Sequence, residues 1–154
     1  MARRTFPLIQ STCAITGSDH NLARCWAAGC LLERSRQVVL LGGETVASLR
    51  PPLISCEAAL SEACFLAYRN GGQPADILQM LRRRAFDVGF DLETEAAAVE
   101  TLMRRYEDMP MSLADACLVR LSELHSDCRV FTLDRDFTRY RRHARQLIPL
   151  LAQW

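Results

Sequence analysis

The sequence predicts an α/β fold built on a parallel sheet, contained in a single domain over residues 1–154. From Pro51 onward, apolar runs of strand length alternate with longer amphipathic runs of helical period, the order that βαβ units impose. Gly71, Gly72 and Pro74 punctuate the joint between two of the helical runs. The 154 residues are 49% hydrophobic, enough for one core of ordinary size, and no stretch has the length and composition of a linker.

The amino-terminal 50 residues are the least regular. Residues 3–8 and 38–41 have strand character and 23–34 helical character, but Cys25, Trp26 and Cys30 follow no clean amphipathic stripe. The run PPLIS supplies a short strand, after which Ser55 is placed to cap a helix over 56–70 that ends at the two glycines. Pro74, tolerated in a first helical turn, opens a second helix over 74–85, apolar at Ile77, Leu78 and Leu81 and closed by Arg82, Arg83 and Arg84. Phe86, Val88, Phe90 and Leu92 alternate with polar or small residues, which is strand spacing. Alanine and glutamate give residues 93–108 strong helix propensity. Ser112 opens a helix over 112–125; a strand at 128–133, a loop or short helix at 134–144 and a final strand at 146–151 complete the chain.

The net charge of +1 offers no global basic field, so a nucleic-acid partner has to be held by a local patch. No segment has the uninterrupted apolar length of a bilayer span, and residues 1–17 lack the continuous apolar core of a signal peptide, so a soluble, cytoplasmic protein is expected. The seven cysteines form no C-x-x-C pair, and His20, His125 and His143 stand at no zinc-ligand spacing; buried thiols in a reducing compartment are expected.

Four acids stand out by position. Asp115 has Met111, Ser112, Leu118 and Val119 as its helical neighbours, so its carboxylate emerges on a mostly apolar face. A charge there needs a cation, a hydrogen-bonding cap or a raised pKa. The run Ser112 to Asp115 also fits a capping box, although that box favours Glu or Gln at its last position, and the two roles are compatible. Glu62 repeats the anomaly among Ala58, Ala59, Phe65 and Leu66, whereas Glu57 is explained by the dipole of its helix's first turn. Asp134 and Asp136 follow an apolar strand, at the carboxyl edge where ligands gather in open parallel sheets, though turn chemistry also selects Asp there. Carboxylates that converge repel one another unless a cation lies between them, and oxygen-only ligands select Mg²⁺ or Mn²⁺. Such ions suit phosphodiester hydrolysis, since they acidify a bound water and stabilise the charge that develops on the phosphate. Arg139, Arg141 and Arg142 adjoin the acids and are candidates for RNA phosphate contacts, while Arg82, Arg83 and Arg84 fit the ordinary role of a solvated helix end.

The segments PLISCEAALSEACFLAYRNGG, YEDMPMSLADACLVRLSELH and RVFTLDRDFTRYRR resemble the PIN domain family, the fold of VapC-type toxin ribonucleases. The resemblance runs from about Pro51 to the carboxyl terminus, with its motifs in family order. It implies a three-layer α/β/α sandwich around a central, mostly parallel sheet, a metal-dependent endoribonuclease acting on RNA with Mg²⁺ or Mn²⁺, a cognate antitoxin partner and a homodimer. It also implies that Glu62, Asp115, Asp134 and Asp136 are the catalytic and metal-binding acids, with Ser112 and Thr132 as supporting hydroxyls. Members of the family end their first strand in an Asp, and TFPLIQSTCAITGSD contains no such strand, Asp19 lying too far along. The codons of RQVVLLG can be chosen so that a one-base shift yields Asp-Arg-Trp-Ser-Cys-Trp-Ala, which is closer to the family; resequencing tests a frame error there. With the chain as written, the alternative is a catalytically impaired module that binds an antitoxin or RNA without cleaving it.

Overall fold

The computed structural model describes residues 14–16, 53–69, 71–132 and 134–151. The elements expected over 3–8, 23–34 and 38–41, together with Cys13, Cys25, Cys30, Asp19 and His20, lie outside the described residues.

Strand β1 is Ala14–Thr16 and β2 is Leu53–Ser55. Helix α1, Glu57–Arg69, begins one residue later than the sequence suggests. Ser55 closes β2, and the Cys56 carbonyl accepts the first helical bond, from the Leu60 N–H, so the cap position falls on Cys56. The far end of α1 closes with the Gly71 N–H on the Tyr68 carbonyl and the Gly72 N–H on the Ala67 carbonyl, Gly71 being left-handed at φ 78°. Helix α2, Pro74–Arg82, closes in the same way without glycine, through the Arg84 and Ala85 N–H groups on the Leu81 and Met80 carbonyls, with Arg84 at φ 58°.

Strand β3 is only Asp87–Val88, shorter than the alternation of residues 85–92 implies. Local capping defeats the alternation: the Asp91 carboxylate accepts from the Glu93 and Thr94 N–H groups and from the Thr94 hydroxyl. The chain therefore turns into helix α3, Leu92–Arg105, and Leu92 becomes a helical residue at the surface. Helix α4, Leu113–Leu124, has eight of its twelve residues buried, which marks it as the central helix rather than a surface one. Strand β4, Arg129–Phe131, leads into a single 3-10 turn at Arg135–Thr138. A small hairpin follows, β5 (Arg141–Arg142) against β6 (Gln146–Leu147), and then β7, Leu150–Leu151. The expected single strand over 146–151 is thus split at Ile148 and Pro149, and the Pro149 carbonyl still accepts from the Val130 N–H at 2.8 Å.

The main sheet runs in the order β3-β2-β1-β4-β7. Strands β2 and β3 pair in parallel, as do β4 and β7, while β1 runs antiparallel to both of its neighbours, with Ile15 opposite Ile54 and Val130. Four strands therefore share one direction and the central one opposes them, so the sheet is mixed. The connection that sets the direction of β1 spans 17–52, outside the described residues.

Side-chain alternation distributes the core. Val130 and Phe131, consecutive on β4, join different apolar clusters, one with Leu118, Leu121, Val99 and Tyr140, the other with Leu53, Ile77, Met80 and Phe86. Consecutive strand residues face opposite ways, so apolar packing lies on both faces of the sheet. Cys56, Cys117 and Cys128 are buried, Cys64 is half-buried, and all four are free. Among the described residues no helix is long and apolar enough to cross a membrane.

Candidate acidic site

Asp115 sits in the first turn of α4 and is wholly buried. The Ser112 hydroxyl accepts from the Asp115 N–H at 3.1 Å, and Asp115 Oδ2 accepts from the Ser112 N–H at 2.9 Å, so both arms of the capping box are present. A shorter acid thus fills the place usually taken by Glu or Gln.

Past β4, a chain of short-range bonds shapes the acidic loop. The buried Thr132 hydroxyl accepts from the Asp134 N–H at 2.9 Å, and Asp134 Oδ1 accepts from the Asp136 N–H at 2.8 Å, which caps the 3-10 turn. The Ser112 and Thr132 hydroxyls are thus each bonded to the backbone N–H of an acid. Asp136 is half-buried and has Arg139 Nη1 at 3.7 Å from its Oδ1, a loose pairing at the rim.

Glu62 reaches the same region from α1. Its Oε2 is buried and has no hydrogen-bond partner. Burial, opposed by a hydrogen bond with the Ser112 side chain and reinforced by the charges of Asp115 and Asp134, pushes the carboxyl up to about 7. Three acids from three separate elements, Glu62, Asp115 and Asp134, therefore lie within electrostatic reach of one another.

The donor chemistry suits a hard divalent ion, since carboxylate oxygens are its usual ligands and Oε2 of Glu62 is unengaged. The arrangement stops short of a preassembled cage. Among the described residues no three His, Cys, Asp or Glu side chains are drawn together closely enough to hold a metal ion. A proton on Glu62 relieves the repulsion of the cluster without a cation.

Sequence reasoning missed Tyr140. This residue is wholly buried, its ring edge-on to Tyr106 and Phe137 at centroid distances of 5.1 and 5.3 Å. Burial first, then the charges of Asp115, Asp136 and Asp134, raises its ionisation far above the usual phenol range. The three-residue spacing of Phe137 and Tyr140 marks the apolar side of a tight turn, but nothing in it signals a hydroxyl beside the acids.

The three arginines after the acids divide. Arg139 is largely exposed beside Asp136. Arg141 donates from Nη1 to the Thr138 and Tyr140 carbonyls, which ties down the end of the 3-10 turn. Arg142 corrects the expectation of a shared phosphate patch: it is buried, and its Nη1 donates to the Ser122 and Ser126 carbonyls at 3.1 Å each. Its charge sits at the carboxyl end of α4, where the helix dipole and unpaired carbonyls attract a cation. No protein-family model matches the chain, and no curated protein matches it in sequence.

Proposed function

We propose that this chain is a metal-dependent endoribonuclease of PIN type, arranged as a three-layer α/β/α sandwich and hydrolysing RNA phosphodiester bonds with Mg²⁺ or Mn²⁺. The observation that carries this reading is the buried, unpartnered Oε2 of Glu62, on a carboxyl whose charged form is disfavoured first by burial and then by Asp115 and Asp134 from two other elements. Apolar packing on both faces of the sheet supports the sandwich. As the toxin of a toxin–antitoxin pair it would meet a cognate antitoxin and form a homodimer.

Glu62, Asp115 and Asp134 would hold the ion, with Asp136 at the rim. The ion, when bound, supplies a water acidic enough to act as nucleophile and a positive charge against the phosphate. The protein's own groups prepare the place. The Ser112 and Thr132 hydroxyls fix the backbone of Asp115 and Asp134, and the exposed Arg139 offers a guanidinium to an arriving phosphate. The test is RNA cleavage by the purified protein with and without Mn²⁺, and again with Asp115→Asn, whose amide oxygen can still accept from Ser112. The expected result is metal-dependent cutting that the substitution abolishes while the circular dichroism spectrum is retained. Undiminished cutting by Asp115→Asn removes the acidic site from the chemistry.

A second reading, a PIN-like module that binds antitoxin or RNA without cleaving, is favoured by the lack of a preassembled ligand cage among the described residues. Melting temperature against Mn²⁺ concentration separates the two, because an ion that binds only the folded state raises it by mass action. A flat response favours the module.

A further inference from the structure

We propose that Cys56 and Cys117 form an oxidisable dithiol, joined into a disulfide by hydrogen peroxide that reaches them through a cavity at the starts of α1 and α3. Both cysteines are free, both are 1% exposed, and both belong to one buried cluster. A buried thiol is ordinarily a small apolar side chain, inert for want of access. These two differ because both form part of the wall of a cavity of about 380 Å³, shared with Glu57, Phe90, Asp91 and Leu92. Glu57, Asp91 and Leu92 are exposed, so the cavity reaches the surface along that rim. It lies past the carboxyl ends of the parallel strands β2 and β3, where the chain turns into α1 and α3.

The pair divides the chemistry between its members. Cys56 occupies the cap position of α1, and its thiol is hydrogen-bonded with that of Cys117. This bond chiefly, helped by the Ala59 and Ala58 N–H groups, holds the Cys56 thiol below its ordinary value despite burial and the nearby charge of Glu57. Cys56 is therefore the attacking thiol and Cys117 the resolving one. The Cys56 thiolate attacks one peroxide oxygen, the O–O bond breaks, and the other oxygen leaves as hydroxide, which takes up a proton to become water. The Cys117 sulfur then attacks the resulting sulfenic acid, the S–O bond breaks, and the hydroxyl leaves as water with the Cys117 proton. Two thiols are oxidised, one peroxide is reduced and two waters form. The acidic rim of Glu57 and Asp91 repels an anionic oxidant such as glutathione disulfide, and the depth of the thiols bars a bulky one. The new bond ties the start of α1 to α4, the two helices that carry Glu62 and Asp115.

The experiment treats the reduced full chain with hydrogen peroxide or, in parallel, with glutathione disulfide at the same concentration. The protein is then denatured, blocked with N-ethylmaleimide and digested with trypsin and a glutamate-specific protease, whose cut after Glu62 separates Cys56 from Cys64 before mass spectrometry. The expected first product is a linked peptide pair joining Cys56 to Cys117, lost on adding dithiothreitol and formed about tenfold faster with peroxide than with glutathione disulfide. Cys117→Ser should instead accumulate a Cys56 sulfenic acid that dimedone traps. A different first pair, oxidation of Cys56 without a bond to Cys117 in the wild type, or both thiols still blocked by the maleimide after peroxide treatment overturns the dithiol, and this map needs no variant to fold. Faster linkage by glutathione disulfide overturns peroxide as its oxidant. RNA cleavage and metal binding enter none of these readouts, so the dithiol and the nuclease reading fail separately.

Discussion

Replacing Glu62 with Gln should stabilise the metal-free protein at pH 8 and change it little at pH 5. The carboxyl is raised from 4.5 to about 7, chiefly by burial, with Asp115 and Asp134 adding repulsion. Because the folded state holds this proton more tightly than the unfolded chain, stability falls as pH rises from about 4.5 to about 7 and is level above that window. The interval of about 2.5 pH units sets a ceiling of about 3 kcal/mol for the cost of ionising Glu62 in the fold. Glu62 is only half-buried, so solvent screening reduces this, and the exchange of a charge-assisted bond with Ser112 for a neutral one reduces it further. About 1–2 kcal/mol remains, or a rise of roughly 2–8 °C in melting temperature for a chain of this size. Calorimetry of both proteins in chelator at pH 5 and pH 8 reads the difference directly. A Glu62→Gln protein that melts below the wild type at pH 8, or by the same margin at both pH values, refutes the convergence of these acids.

Three further outcomes follow from the geometry. A Cβ at Gly89 would stand 2.6 Å from Ile54 Cγ2, so Gly89→Ala should cost about 1–3 kcal/mol in urea unfolding, and should cost less when introduced into an Ile54→Ala background, which lacks that methyl. His143 and Ala144 form the left-handed centre of the β5–β6 turn at φ 47° and 66°, closed by the Arg145 N–H on the Arg142 carbonyl. Ala144→Gly should therefore stabilise by about 0.5–1 kcal/mol, read by the same unfolding curves. Uptake of Mn²⁺ must expel the proton from Glu62, so isothermal titration should show affinity rising about tenfold from pH 6 to pH 8, with proton release at the lower pH; equal affinity at both excludes Glu62 as a ligand.

The sequence made the helices and the acid trio legible because both depend on local spacing. An acid amid apolar helical neighbours, as at Glu62 and Asp115, signals burial without reference to the rest of the chain, and the capping box at Ser112 is written in four residues. The failures were contests between local rules and longer-range ones. The alternation through Phe90 and Leu92 was real, but the Asp91 cap took the chain into α3 before a longer strand could form. Arg142 reads as part of a basic run, yet the open carbonyls at the end of α4 claim it, twenty residues away from Ser122 in sequence. The reversed direction of β1 had no local signal at all, since pairing direction belongs to the connection and not to the strand.

The three acids are held by the fold in different ways. Asp115 Oδ2 accepts a backbone N–H in the first turn of α4, where the helix dipole also favours an anion, and Asp134 Oδ1 accepts a backbone N–H at the start of the 3-10 turn. Glu62 Oε2 accepts nothing. Burial first, and then the charges of Asp115 and Asp134, raise the carboxyl of Glu62, one oxygen of which no donor satisfies. On the proposed reading, folding and ion binding would be joined through this single carboxyl. The caps that start α4 and the 3-10 turn hold the carboxyls of Asp115 and Asp134 in place without a cation, and on the proposed metal-dependent reading Glu62 would exchange its proton for one.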